Sequence, residues 1–364
     1  MLVCTIQEYM RTVKSDKKRP LSGLSAELTR RCNFKCGQCY CANPIKPYIP
    51  EEELTTDEWI RIFEQYANEQ GFFLTLTGGE PLLRKDFKTL WKFLKQKGFL
   101  ISLFTNGSLI DEKMVDFLAE WTPYELSITL YGASDETYER VTGHKNMFTR
   151  IMSTLEILSE TGIPLEVKGV FTRLNIDDFD QVKSIGEQYC DLFRWDVDLI
   201  GAFPCSSNKV QDIRLSPEEC VELEARVRIR NQELLNRIKN WQPAAPPNGK
   251  RSAFTCNIGK SSAYIDCYGG MHPCLPLESV SYDLRQGSLE EGWHEAIPKM
   301  IRDFPLAPGP CQTCDAFELC GQCVAFALLE GCSPTGPVPF RCRLAKARAK
   351  QYGLSHRIKS LADV

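Results

Sequence analysis

The sequence has no long apolar run, no secretion signal and no excess of positive charge. No stretch of its 364 residues approaches the ~18 consecutive apolar residues of a membrane-spanning helix. Residues 1–20 lack the apolar core and small-residue cleavage site of a signal peptide. The net charge is −3 without a long basic segment, which disfavours nucleic acid as the main partner. We therefore expect a cytoplasmic protein that binds neither nucleic acid nor a membrane.

Cysteine, in contrast, is abundant. The chain has 17 cysteines, and without a secretion signal a reducing compartment favours metal ligation over disulfides. Three of them lie within residues 32–39, and nine lie between positions 256 and 342. This distribution predicts two separate metal-binding regions.

The first region has the spacing C-x3-C-x2-C, formed by Cys32, Cys36 and Cys39. Thiolates this close together can ligate one four-iron, four-sulfur (4Fe–4S) cluster, whose irons each take a sulfur from the protein. Because only three cysteines are offered, one iron keeps an open position, which distinguishes a reactive metal site from a closed structural one. The alternatives are half of a disulfide framework or a zinc site, for which Cys41 is the only local fourth ligand.

This motif resembles that of the radical S-adenosylmethionine (SAM) enzymes. In that family the open iron chelates the amino and carboxylate groups of SAM, and one electron then cleaves the sulfonium to give a radical that abstracts a substrate hydrogen. The resemblance implies that the three cysteines hold the catalytic cluster, with SAM as second cofactor and a flavodoxin or ferredoxin as reductant. The family usually has an aromatic residue just before the third cysteine, where this sequence has Gln38.

Predicted strands and helices alternate through the first 200 residues. A capping box, Thr55-Thr-Asp-Glu58, begins the first of these helices. Such alternation predicts an α/β fold with a parallel sheet and right-handed crossovers, and the resemblance implies a partial (β/α)6 radical SAM barrel. The predicted strands are residues 24–28, 72–77, 100–105, 124–130, 165–171 and 192–199.

Each predicted strand has a polar face opposite an apolar one, whereas strands covered on both faces should be apolar throughout. With helices on the apolar faces, the polar faces would meet inside a curved sheet, where buried charge is costly unless it is paired or used. Candidates for substrate contact or proton transfer there, each equally compatible with a structural ion pair, are Glu27, Lys168, Asp196 and Asp198.

Residues at or after the ends of predicted strands resemble the family's SAM contacts. A Gly-Gly-Glu segment after the second strand would let a ligand approach the backbone and would offer a carboxylate to the amino group of SAM. The third strand ends in a turn that has an ordinary structural reading. A polar residue on the fourth strand and a later arginine match the ribose and carboxylate contacts, with a surface salt bridge as the alternative for the arginine. These candidates are Gly78, Gly79, Glu80, Asn106, Ser127 and Arg140.

The second cysteine region resembles the SPASM domain, which adds two auxiliary iron–sulfur clusters to radical SAM enzymes. Its Cys-x2-Cys pairs alone could instead bind zinc, and the run has two residues between its third and fourth cysteines where the family usually has three. The resemblance implies a farther 4Fe–4S cluster on Cys311, Cys314, Cys320 and Cys342. It implies a nearer one on Cys256, Cys267, Cys274 and Cys323, with Cys332 competing for the place of Cys267.

These assignments divide the chain into five parts. They are a lead-in (1–20), the radical SAM partial barrel (21–215), a bridging helix with a Pro-rich linker (216–249), the auxiliary-cluster domain (250–345) and a tail (346–364). Because the barrel begins near residue 22, no leader-binding domain is expected before it. A peptide-modifying enzyme would then need a separate recognition protein or a leader-independent site.

The resemblance implies an oxidative maturase that forms a crosslink, thioether or related group on a peptide or protein side chain, with the auxiliary clusters accepting the electron. Sulfatase maturases have an Asp after the second auxiliary cysteine, where this chain has Leu275, so that activity is disfavoured. Two alternatives stay open: a radical SAM enzyme acting on a small-molecule cofactor precursor, and a non-catalytic zinc-binding scaffold.

Overall fold

The computed structural model describes residues 19–41, 48–191, 193–197, 199, 210–227 and 258–358, with the isolated positions 232, 236, 253, 254 and 256. The chain forms two compact units. The first comprises residues 1–196 and 257–304, and the second comprises residues 197–256 and 305–364.

The first unit contains a sheet whose first six strands are parallel and lie side by side in chain order. The predicted parallel α/β sheet is therefore confirmed. The bounds predicted for the first five strands agree within one residue, but the sixth strand, predicted over residues 192–199, covers only residues 194–196. The strands are β1 (Gly23–Glu27), β2 (Phe73–Thr77), β3 (Leu100–Thr105), β4 (Glu125–Thr129), β5 (Leu165–Val170) and β6 (Arg194–Asp196).

Helices connect these strands. The Thr55–Glu58 capping box is present, and the buried residues of the helix that it begins are Trp59, Ile62, Phe63 and Tyr66. This is the apolar spacing of a helix that packs one face on a sheet. The helices of this part are α1 (Thr56–Asn68), α2 (Phe87–Gln96), α3 (Glu112–Glu120), α4 (Asp135–Thr142), α5 (Met147–Ser159) and α6 (Phe179–Tyr189).

Residues 258–304 differ from the sequence-based expectation. We expected 250–345 to form one cysteine-rich domain with little apolar core, but β7 (Ser262–Ile265) pairs in parallel with β1. The antiparallel strands β8 (Gly270–His272) and β9 (Tyr282–Asp283) extend the sheet further. Leu277, Leu289 and Trp293 are almost fully buried beside them. The segment thus belongs to the first unit because its strands complete an edge that six strands would leave open.

The polar face of the sheet is buried as well as the apolar one. Glu27 and Thr29 have no exposed surface, and Ser127 and Glu166 are 2% and 7% exposed. The burial of these four side chains therefore agrees with the expected polar interior. Arg194 and Asp196 on β6 are exposed, however, so the polar face of the sheet is not buried at this strand.

The second unit is helical where it is described. Two short helices later in the chain still belong to the first unit, α9 (Leu289–Glu291) and α10 (Ile297–Arg302). The helices of the second unit are α7 (Val210–Ile213), α8 (Pro217–Arg226), α11 (Phe317–Cys320), α12 (Val324–Leu329) and α13 (Pro339–Gln351). The helix expected from Ser216 to about Trp241 was predicted too long: it ends at Arg226, and Val227 after it has an extended backbone. The proposed linker lies outside the described residues. Arg348 on α13 donates hydrogen bonds to both carboxylate oxygens of Glu224 on α8, at 2.9 Å and 2.5 Å.

Among the described residues, no helix combines the length and apolarity that crossing a membrane requires.

Candidate functional site

The cysteine loop follows β1 and brings the three predicted thiols together. Cys36 is buried, and Cys32 and Cys39 are half-buried. Burial, followed by the charges of Glu80 and Cys39, raises the pKa of the Cys32 thiol to about 11. Burial and the other two cysteines likewise raise the pKa of Cys36. Because charge on a neighbouring cysteine raises the pKa values of Cys32 and Cys36, the three thiols need a cation or metal to become thiolates together.

The backbone of this loop is held by several hydrogen bonds. The Phe34 N–H donates to Cys32 Sγ (3.3 Å), and the Cys39 N–H donates to the Cys36 carbonyl (3.2 Å). The N–H groups of Lys35 and Gly37 donate to carbonyls at the C-terminal end of α4 at 2.9 Å and 3.2 Å. The loop therefore has a defined shape, which is a requirement for a metal-ligand segment.

The Gly-Gly-Glu segment after β2 packs directly against the start of the cysteine loop. Gly78 has a φ of 142°, and a Cβ there would lie 2.3 Å from the Thr29 carbonyl oxygen. A Cβ on Gly79 would lie 2.2 Å from the Arg31 carbonyl oxygen. The N–H groups of Gly79 and Glu80 donate to those two carbonyls, both at 2.7 Å. The glycines are thus required by the approach of the protein's own backbone, where we expected the approach of a ligand.

Glu80 is fully buried at the end of this segment. Its Oε1 accepts hydrogen bonds from the Leu82 N–H (3.1 Å) and the Thr105 hydroxyl (2.8 Å), and its Oε2 accepts one from the Asn106 N–H (2.8 Å). No described Lys, Arg or His forms an ion pair with it. Burial therefore outweighs these hydrogen bonds and raises the pKa of Glu80 to about 7. A buried carboxylate without a cation suits a ligand that brings an amino group.

Asn106 links β3 to the cysteine loop. Its Nδ2 donates to Asn33 Oδ1 (2.9 Å) and lies 3.8 Å from Cys32 Sγ. Its Oδ1 accepts hydrogen bonds from the N–H (2.9 Å) and hydroxyl (2.6 Å) of Ser108. Asn106 therefore contacts the predicted ligand Cys32, and its described hydrogen bonds hold the loop in place.

The remaining two predicted SAM contacts, Ser127 and Arg140, differ in how far they are exposed to solvent. Ser127 is almost fully buried on β4, and it lies close enough to Glu166 to help lower the pKa of that carboxyl. The Arg140 side chain on α4 is 43% exposed. It donates to the Leu174 carbonyl (2.6 Å) and to the Thr137 hydroxyl (3.2 Å), and lies 4.0 Å from Glu136. These contacts are those of a surface residue.

Two ionic groups occupy the polar face of the sheet. Glu27 accepts hydrogen bonds from Arg30 Nε (2.8 Å) and from the Tyr264 hydroxyl of β7. An arginine three residues after a buried acid is a local sequence pattern that could have indicated this pair. Tyr264 could not have been found that way, because it lies 237 residues from Glu27.

The second ionic group contains Lys168, whose Nζ lies 2.9 Å from Glu166 and 3.2 Å from the centroid of the Phe104 ring. Glu166 also accepts a hydrogen bond from Arg194 (2.9 Å). Burial lowers the pKa of Lys168, and Glu166 opposes this effect only in part. The predicted Asp196 is exposed, and Asp198 lies outside the described residues.

The later cysteines fall into both units. Cys267 and Cys274 belong to the first, and all other cysteines from 256 to 342 belong to the second. Within the second unit, burial raises the pKa values of Cys311 and Cys320 to about 11 and about 12, and neighbouring thiols among Cys311, Cys314, Cys320 and Cys342 raise them further. These four predicted ligands are therefore close together, and Cys332 lies beside Cys342. The described residues contain no three His, Cys, Asp or Glu side chains arranged around one ion.

Comparison with known families accounts for this arrangement. Residues 26–184 match the model of the Radical SAM superfamily. This part of the chain is therefore a Radical SAM domain. Its superfamily implies a 4Fe–4S cluster and SAM binding, and the matched segment contains the cysteine loop, the Gly-Gly-Glu segment and β2 to β5.

Similar proteins extend the match over most of the chain. It is 28% identical to PqqA peptide cyclase of Rhizobium meliloti over 336 residues, which are 89% of this chain and 88% of that protein. It is 24% identical to AdoMet-dependent heme synthase of Methanosarcina barkeri over 324 residues, which are 83% of this chain and 90% of that protein.

Solved structures show the same fold. SuiB of Streptococcus suis bound to SAM matches with a TM-score of 0.65 at 17% identity, over 94% of this chain and 84% of that one. The anSMEcpe protein with bound AdoMet and Cp18Cys peptide matches with a TM-score of 0.62 at 18% identity, over 93% of this chain and all of that one.

Proposed function

We propose that this radical SAM enzyme is a maturase that oxidatively modifies a side chain of a peptide or protein, by a crosslink, a thioether or a related group. The observation that carries the proposal is the second group of four mutually close cysteines, distinct from the cysteine loop. A relative named PqqA peptide cyclase, similar over most of both chains, supports a peptide as the substrate.

The cysteine loop fits the cofactors that the superfamily implies. Cys32, Cys36 and Cys39 would hold the cluster, which when bound supplies the electron for cleavage of SAM. Glu80 would accept a hydrogen bond from the amino group of SAM, since it is buried and lacks a cation. Thr105 and Asn106 hold that carboxylate in place through their hydrogen bonds.

Two auxiliary 4Fe–4S clusters complete the proposal. Cys311, Cys314, Cys320 and Cys342 would hold the farther cluster, supported by their proximity within the second unit. Cys256, Cys267, Cys274 and Cys323 would hold the nearer one. An oxidised product requires that the substrate lose one more electron after hydrogen abstraction, and an auxiliary cluster is a suitable acceptor. A flavodoxin or ferredoxin would return electrons to the enzyme. The peptide would be bound either through a separate recognition protein or at a leader-independent site.

The experiment is anaerobic reconstitution with iron and sulfide, followed by measurement of iron content and of 5′-deoxyadenosine formed with dithionite. Three clusters predict about 12 irons per chain, and loss of one cluster predicts about 8. We expect Cys36→Ala and Cys320→Ala each to lose one cluster, but only Cys36→Ala to abolish 5′-deoxyadenosine. Cys220→Ala is the matched control, because Cys220 is buried in α8 and is not a predicted ligand. A protein that carried only zinc and formed no 5′-deoxyadenosine would refute the proposal and favour the scaffold alternative.

A small-molecule cofactor precursor is the second candidate substrate, favoured by the similarity to AdoMet-dependent heme synthase. The two candidates are separated by incubating the reconstituted enzyme with peptides encoded by neighbouring genes. Loss of hydrogen from such a peptide by mass spectrometry supports the maturase. Turnover of a porphyrin-type precursor with none of the peptides altered supports the second candidate.

A further inference from the structure

Asn33, Asn106 and Ser108 form a closed ring of three side-chain hydrogen bonds beside Cys32. The Asn33 amide donates to the Ser108 hydroxyl oxygen (2.8 Å), and that hydroxyl donates to Asn106 Oδ1 (2.6 Å). The ring closes where Asn106 Nδ2 donates to Asn33 Oδ1 (2.9 Å). Each side chain therefore donates once and accepts once, and hydrogen bonds in such a network strengthen one another.

The Asn106 carboxamide is fixed in one orientation by this ring and by the backbone. Its Oδ1 also accepts a hydrogen bond from the Ser108 N–H (2.9 Å), so a rotation of the amide by half a turn would lose both bonds to Ser108. The Asn106 N–H donates to Glu80 Oε2 (2.8 Å), and the residue is only 6% exposed. Turning the side chain towards solvent would therefore break several hydrogen bonds at once.

The second hydrogen of Asn106 Nδ2 is left for Cys32, whose Sγ lies 3.8 Å away. A carboxamide has two donor hydrogens and two acceptor positions, and here the protein itself uses all four. Asn33 and Cys32 take the hydrogens, and the N–H and hydroxyl of Ser108 fill the oxygen. The Asn106 side chain thus needs no ligand as a partner, and its contact with sulfur is the one that bears on chemistry.

A hydrogen bond to a ligating sulfur changes the reduction potential of an iron–sulfur cluster. Uptake of one electron adds one negative charge, part of which lies on the ligating sulfurs. An N–H donor next to such a sulfur therefore stabilises the reduced state more than the oxidised state. The Phe34 N–H donates to the same Cys32 Sγ at 3.3 Å, so this sulfur has both a backbone donor and a side-chain donor.

We propose that Asn106 is a positioning residue that raises the reduction potential of the cluster held by Cys32, Cys36 and Cys39, through an N–H···S hydrogen bond to Cys32. The inference rests on the proposed function only in requiring that these three cysteines hold that cluster. Its consequence is that the single electron supplied by the reductant is accepted more readily.

The test is a redox titration of the reconstituted holoenzyme without SAM, with dithionite as the reductant and electron paramagnetic resonance as the readout. The signal of this cluster is the one that Cys36→Ala lacks. Asn106→Leu has a similar volume and no hydrogen-bonding group in its side chain. At any fixed potential it should show an about fivefold lower ratio of reduced to oxidised cluster, which is a downward shift of about 40 mV. Asn106→Ala should shift the potential in the same direction, and it provides a smaller side chain if leucine prevents cluster uptake.

Iron content checks that each variant holds its clusters. Ser108→Ala is the matched control, because it opens the ring while the Ser108 N–H still holds Asn106 Oδ1. Its ratio of reduced to oxidised cluster should change by less than about twofold. A wild-type potential in Asn106→Leu or Asn106→Ala would overturn the inference, and so would an equal shift in Ser108→Ala, since that variant keeps the hydrogen bond to Cys32. A wild type that takes up no cluster on Cys36 would refute the cluster assignment as well, whereas equal potentials with the cluster in place refute this inference alone.

Discussion

Protonation of Glu80 should control the affinity of this enzyme for SAM across neutral pH. The carboxylate is fully buried without a cation, and burial raises its pKa to about 7. A raised pKa means that the neutral form dominates below pH 7 and the charged form above it. The charged form accepts the stronger hydrogen bond from the amino group of SAM, so affinity should rise with pH.

The expected magnitude follows from the fraction of charged Glu80. With a pKa of about 7, about a tenth of Glu80 is charged at pH 6 and about nine tenths at pH 8. A hydrogen bond to a charged group contributes about 2 kcal/mol, which corresponds to about 30-fold in affinity. Relative to Glu80→Gln, which stays neutral, the wild type should bind about 25-fold more tightly at pH 8 and about fourfold more tightly at pH 6.

The assay is anaerobic equilibrium binding of SAM to both reconstituted proteins from pH 6 to pH 8. The amino group of SAM also titrates in this range, but its effect is common to both proteins and cancels in the ratio of their dissociation constants. Glu53→Gln is the control, because it changes another carboxylate close to the loop. The ratio of the dissociation constants of Glu53→Gln and the wild type should not change with pH. A wild-type to Glu80→Gln ratio that stays constant with pH would refute the role assigned to Glu80.

Three further substitutions have defined outcomes. Gly79→Ala should lower the free energy of unfolding by about 3 kcal/mol in denaturant titrations, because its Cβ would lie 2.2 Å from a carbonyl oxygen. An unchanged denaturation midpoint would show that the backbone can shift to accept the Cβ at little cost in free energy. Arg140→Gln should change SAM affinity by less than about threefold, as expected for an exposed residue, whereas a tenfold loss would restore its predicted contact with SAM. Arg348→Met should destabilise the protein by about 3 kcal/mol because Glu224 would stay buried without its partner, and the double variant with Glu224→Gln should recover part of this loss.

The spacing of cysteines, the strand periodicity and the helix caps are local features, and by themselves they determined much of this protein. Cys32, Cys36 and Cys39 are only seven residues apart at most, so chain length alone keeps their thiols together. The Thr55–Glu58 cap and the alternating strands are equally local, because each depends on residues within one turn or one strand. The parallel order of β1 to β6 follows, since short crossovers place consecutive strands side by side.

Only the tertiary structure decided features that join distant parts of the chain. The pairing of β7 with β1 brings residues 262–265 beside residues 23–26, and it puts the Tyr264 hydroxyl on Glu27. The sequence predicted neither, because strand pairing across more than 200 residues depends on which sheet edge remains open and not on a local pattern. Similarly, the glycines before Glu80 are needed because the backbone of residues 29–31 approaches them closely. Glu80 lacks a cation because the segments that pack around it contribute only neutral hydrogen-bond donors. Local chemistry thus predicted the ligands, and long-range packing decided which side chains surround them.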